Sequence, residues 1–116
     1  MSLERIVKAI MSMNLSENDA QVYIFLALNG PHRAREISRR MDLYKGQLYR
    51  SLRNLRDKDI ALATDHSPAV FSVIPFEKVL DMLVEIRKEQ ESAIRDAKEE
   101  LLSSWQKVIK RNSKNN

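Results

Sequence analysis

A mainly helical fold with one small β-hairpin is predicted by three features of this 116-residue chain. Apolar residues recur at helical spacing over most of its length, and only Ile60 to Ile74 switches to alternating and β-branched residues. Two glycines and three prolines leave little scope for long loops. At this length the chain holds one small domain with at most an appendage.

Leu3, Ile6, Val7, Ile10 and Met11 form a stripe with a period of about 3.6 residues, which predicts a first helix over Leu3 to Met13. Asn14-Leu15 breaks it. Ser16, with Asp19 three residues on, is an N-cap with a short form of the capping-box acid. The helix it opens, Glu17 to Leu28, is apolar on almost every side from Ala20 onward and therefore belongs at the centre of the fold. Asn29-Gly30-Pro31 stops it. Two helices follow over Ala34 to Met41 and Tyr44 to Lys58. Ile37 and Met41 face inward from the first, and Leu48, Leu52 and Leu55 from the second. Ile60 to Thr64 and Val70 to Ile74 read as an antiparallel hairpin around the turn residues Asp65-His66-Ser67-Pro68.

The last helix is predicted over Phe76 to Lys110, where seven basic residues nearly cancel eight acids. Its first turns carry a broad apolar band, Val79 to Ile86. Beyond Arg87 the band narrows to a seam through Gln90, Ile94, Ala97, Leu101, Trp105 and Val108. A broad band suits docking on the body and a narrow seam suits a partner helix. At 1.5 Å per residue the helix reaches roughly 50 Å, and a lone helix with one apolar stripe is marginal in water. The expectation is a homodimer with Leu83, Ile86, Gln90, Ile94, Ala97, Leu101, Trp105 and Val108 at its interface; parallel and antiparallel pairing fit equally. The element order is a winged helix-turn-helix: mainly α with a small β-hairpin wing, plus a long C-terminal dimerisation helix. Residues 1–75 form the winged domain, 76–110 the dimerisation helix, and 111–116 a disordered polar tail.

Charge points to a partner. From Pro31 to Lys58 stand nine Lys or Arg (Arg33, Arg35, Arg39, Arg40, Lys45, Arg50, Arg53, Arg56, Lys58) against three acids, Glu36, Asp42 and Asp57. That segment is +6 on a chain of +4, so the remainder is −2. Positive charge gathered on one helix-turn-helix is the footprint of a reader of double-stranded DNA. With Leu48, Leu52 and Leu55 placed inward at about 100° per residue, the opposite face of the second helix holds Gly46, Arg50, Arg53, Asn54 and Asp57, with Gln47 at its edge. Such helices lay their N-terminal half in the major groove, which brings Tyr44, Lys45, Gly46, Gln47 and Arg50 nearest the base edges. Arg50 suits guanine and Gln47 suits adenine. Gly46 either admits a close backbone approach or is simply a weak helix start. Arg33 and Arg35 open the preceding helix, where positive charge and free amides meet phosphate together. Arg53 and Arg56 read as backbone clamps, and Tyr49 as packing beside the core.

No cysteine is present, so neither a disulfide framework nor a thiolate metal site can form. No run of about 18 apolar residues and no signal-peptide pattern occurs, which predicts a cytoplasmic protein with no membrane partner. His32 and His66 fall in predicted loops with no third ligand or nucleophile nearby, and adjacent Asp65-His66-Ser67 cannot take triad geometry. The expectation is no enzyme, no metal and no cofactor, and no small-molecule effector is implied. Two other binders remain open: a non-specific nucleoid protein, and a winged-helix module for protein partners. Against the latter, the groove face carries Lys45, Gln47 and Arg50 and no large aliphatic patch.

The stretch Leu15-Ser16-Glu17-Asn18-Asp19-Ala20-Gln21-Val22-Tyr23 resembles the opening of the archaeal TrmB-like transcriptional regulators. Ala34-Arg35-Glu36-Ile37 and Gln47-Leu48-Tyr49-Arg50-Ser51-Leu52-Arg53-Asn54-Leu55 resemble that family's two helix-turn-helix helices, and Val73 to Leu80 its exit from wing to tail. The resemblance spans Leu15 to Leu83 and implies a DNA-binding regulator with a winged helix. Three departures stand out. Leu43-Tyr44 replaces a common proline before the recognition helix, Asp59 replaces a frequent glycine after it, and the wing Asp65-His66-Ser67-Pro68 lacks the family's usual basic residues. The sugar-sensing domain of longer members has no counterpart in these 116 residues.

Overall fold

A computed structural model describes residues 2–114, which fall into two units, Met1–Asp81 and Met82–Asn116. The elements are α1 (Leu3–Met11), α2 (Glu17–Asn29), β1 (His32–Arg33), α3 (Ala34–Met41), α4 (Lys45–Asp57), β2 (Ala61–Ala63), β3 (Val70–Val73) and α5 (Phe76–Lys114).

In the first unit, helix ends follow local chemistry. α1 starts on Ser2, whose Oγ accepts from the Arg5 N–H at 3.4 Å. It ends at Met11, two residues earlier than the apolar stripe predicts, because Asn14 turns left-handed at φ 65. Met13 and Leu15 are nonetheless buried, so those apolar residues serve the core from the turn. At the start of α2, Ser16 Oγ accepts from the Asp19 N–H at 3.0 Å while Asp19 Oδ2 accepts from the Ser16 N–H at 2.9 Å. This is the predicted reciprocal cap. Gly30, at φ 80, ends α2. After α4, Asp59 takes the left-handed position at φ 62 that glycine more often fills.

The sheet has three antiparallel strands in the order β1-β3-β2. Ala61, Leu62 and Ala63 stand opposite Val73, Ser72 and Phe71, as the predicted hairpin requires. The third strand corrects the sequence reading, which placed His32 in a loop: His32 pairs with Phe71 and Arg33 with Val70. Two residues cannot display an alternating pattern, so β1 exists only because β3 offers it an edge.

The core gathers Ile10, Val22, Tyr23, Leu26, Ile37, Leu48, Leu52, Leu55, Ile60 and Val79. Tyr23 is ring-deep in it, and its hydroxyl donates to the Ile74 carbonyl at 2.7 Å. Burial pushes its phenol above the ordinary tyrosine value. Tyr23→Phe keeps the ring but orphans that carbonyl, so we expect a loss of about 1 kcal/mol. Thermal unfolding followed by circular dichroism reads this as a fall in Tm of about 4–8 °C. An unchanged Tm would mean that water replaces the hydroxyl.

The second unit is the continuation of α5. Its helix runs to Lys114, so residues 111–114 of the predicted disordered tail are helical, and 115–116 lie outside the described residues. Arg111-Asn112-Ser113-Lys114 contains no Pro or Gly to stop the ladder. Within this unit Leu83, Ile86 and Ala97 are half-buried, whereas Gln90, Ile94, Leu101, Trp105 and Val108 are exposed. Leu102 and Ile109, outside the predicted seam, are exposed apolar residues beside it. Exposed pairs Glu85–Lys88 and Glu91–Arg95 run along the helix.

Candidate nucleic-acid interface

The turn between α3 and α4 is held by two bonds. The Ser38 hydroxyl donates to the Leu43 carbonyl at 2.6 Å, and the Leu43 N–H donates to the Ser38 carbonyl at 3.1 Å. Asp42 caps α3 in the left-handed region at φ 55. α4 then opens on Tyr44 with no side-chain oxygen accepting from its first amides; Gln47 Oε1 reaches back to the Tyr44 N–H at 3.4 Å.

Rotation of α4 is unambiguous. Leu48, Ser51, Leu52 and Leu55 are buried, whereas Tyr44, Lys45, Gly46, Gln47, Arg50 and Arg53 are exposed, together with Tyr49, Arg56 and Asp57. Tyr44 is 82% exposed. A Cβ added to Gly46 would meet nothing within 4 Å, so the helix surface there is open. Arg33 and Arg35 are exposed at the start of α3.

One expected contact residue, Asn54, and one further cation of the segment, Arg40, are engaged within the fold. Asn54, expected on the outer face, is half-buried, and its amide donates to the two Asp19 carboxylate oxygens at 3.4 and 3.1 Å. It stands about 40° round the helix from Arg50 and 60° from buried Ser51, a margin position that a neighbouring acceptor can claim. Arg40 Nη1 lies 3.2 Å from His32 Nε2, and its guanidinium sits 5.1 Å from the centre of the Phe25 ring. His32 Nδ1 is 2.8 Å from the Gly30 carbonyl, which can only accept. Nδ1 therefore carries the proton, and Nε2 accepts from Arg40.

The remaining cations make no carboxylate contact. Among the described residues, ion pairs within 4.0 Å occur only along α1 and α5, so no cation from Arg33 to Lys58 is neutralised by a carboxylate contact. Glu36, fully exposed, spends its carboxylate on the Arg33 N–H at 2.9 Å. That bond, with Arg33 and Arg40 nearby, holds it below the ordinary carboxylate range.

A cleft of about 520 Å³ lies between α3 and α4, lined by Ala34, Arg35, Ser38, Arg39, Lys45, Leu48 and Tyr49. A second, of about 430 Å³, lies between α4 and β3 and includes Arg53, Arg56 and Phe71. Tyr49 borders both, with Lys45 Nζ 5.9 Å from its ring centre. It forms the rim between them and is 41% exposed. Arg39, which sequence reasoning did not place in the site, lies four residues from Arg35 on the same face; that spacing was the available signal. The wing residues 65–68 are exposed and carry no Lys or Arg. No helix among the described residues is long and apolar enough to cross a membrane, and no three His, Asp or Glu among them group as metal ligands.

A family model described as "Sugar-specific transcriptional regulator TrmB" matches residues 10–77. No curated protein matches the chain. Among solved structures, the Sulfolobus tokodaii protein ST1889 superposes with a TM-score of 0.68 at 22% identity, over 80% of this chain and 98% of that one. A possible transcriptional regulator from Methanosarcina mazei Go1 gives a TM-score of 0.66 at 14% identity, over 86% and 88%. TrmBL2, an archaeal chromatin protein, gives 0.68 at 25% identity. The match covers 88% of this chain but only 41% of that one. These likenesses bear out the winged-helix fold.

Proposed function

Since the chain belongs to the TrmB family of transcriptional regulators, we propose that it is a homodimeric regulator that reads a specific DNA sequence through α4. The observation that carries this reading is the exposed surface of α4 with the start of α3: Arg33, Arg35, Lys45, Gln47, Arg50 and Arg53 are all exposed, and among the described residues no carboxylate lies within 4.0 Å of the cations among them. Phosphate contacts from Arg33, Arg35 and Arg53 position the helix, and Arg50 and Gln47 read base edges. Tyr44 and Lys45 sit at the leading end, and open Gly46 admits the DNA closely. Two copies of α4, paired through Leu83 to Val108 of α5, read the halves of a two-fold site.

Arg50→Ala tests this. In a specific regulator it relaxes discrimination at one base position by about 1–3 kcal/mol. Competition binding of systematically varied duplexes reads that loss. An Arg50 variant with unchanged affinity and unchanged base preference would remove α4 from the groove.

A second reading, a chromatin protein that coats DNA without sequence preference, has its own support. The wing carries no Lys or Arg, and TrmBL2 is itself an archaeal chromatin protein. In that case Arg50→Ala weakens all sequences equally, and selection from random duplexes enriches no motif.

A further inference from the structure

Asp19 is buried to 1% exposure, and no step of DNA contact uses it. One oxygen of its carboxylate accepts from the Ser16 N–H at 2.9 Å, which fixes the start of α2. Both oxygens face the Asn54 amide, 35 residues away on α4. Among the described residues this is the only side-chain hydrogen bond joining α4 to another helix. The rest of the buried face of α4 is mainly leucine, and apolar contact is non-directional. A hydrogen bond to a buried carboxylate is directional. Asn54 follows Arg50 by four residues and Gln47 by seven, so it shares an edge of the helix with both. A turn of about 10° moves an atom about 6 Å from the helix axis by about 1 Å, and recognition geometry tolerates about 0.5 Å.

We infer that the Asp19–Asn54 clasp sets the rotation of α4, which makes Asp19 a positioning residue for base discrimination although it lies out of reach of DNA. The inference rests on the sequence-specific reading above. Asp19→Asn keeps the volume and an oxygen for the Ser16 N–H but loses the charge that holds Asn54. Discrimination between the preferred and random duplexes is expected to fall at least about tenfold, while the salt slope on random DNA stays the same. The double variant Asp19→Asn with Asn54→Asp restores a donor facing a carboxylate and is expected to recover the ratio. Circular dichroism at the assay temperature confirms that each variant is folded.

Full discrimination in folded Asp19→Asn would overturn the inference, as would failure of the double variant to recover it. If the wild type itself prefers no sequence, the specific reading fails, and amide spectra of the DNA-free protein decide the clasp. Shifts along α4 from Gln47 to Asp57 in Asp19→Asn would uphold it, and an unmoved α4 would end it.

Discussion

Replacing Leu101 with Asp and Trp105 with Glu is expected to turn the proposed dimer into monomers by analytical ultracentrifugation. Trp105 is 57% exposed and Leu101 equally so, on a helix that also exposes Ile94 and Val108. Apolar area removed from water stabilises by about 25 cal/mol per Å², so a pair of indole rings and their neighbours is worth several kcal/mol to an interface. The double substitution removes that term and puts four carboxylates per dimer where water is excluded. Monomers engage one half-site only, so affinity for a two-fold site should fall by about 10²–10⁴ while random-duplex binding per protomer persists. A double variant that still sediments as a dimer would move the contact elsewhere, first to the flank that carries exposed Leu102 and Ile109.

Leu52→Ala should have the largest effect on folding, about 2–5 kcal/mol. Leu52 is 1% exposed on the inner face of α4, with Leu48 and Leu55 one turn to either side. Removing three carbons there loses their transfer energy and leaves a cavity that neighbouring helices refill only partly. Domains of this size are stable by about 5–15 kcal/mol, so the variant can lose a third or more of its margin. Urea unfolding at constant m-value is the measurement. A loss below about 1 kcal/mol would show that α4 is not seated on its leucines.

How legible each element was depended on how local its cause is. The start of α2 was readable because Ser16 and Asp19 lie three residues apart and satisfy each other's backbone amides. The rotation of α4 was readable because leucines at 48, 52 and 55 share one side of a 3.6-residue period. Six of the residues expected at the groove, Tyr44, Lys45, Gly46, Gln47, Arg50 and Arg53, are exposed. β1 was invisible because two residues have no pattern of their own. The ends of α1 and α5 were misjudged by two and four residues, where a left-handed Asn14 stops one and nothing stops the other. Asn54 reads as free because its partner Asp19 lies 35 residues away on another helix.

From the chain alone come the helices with their caps, the face of each that turns inward, and the concentration of positive charge on one helix-turn-helix. All follow from residues within about one or two helical turns of each other, where spacing dictates which side chains meet. Which polar side chains stay available at the surface was settled by folding. A hydrogen-bond donor at the margin of a helix takes the best acceptor that packing brings to it. For Asn54 that acceptor is a buried carboxylate 35 residues away, a distance over which no periodicity in the sequence reaches.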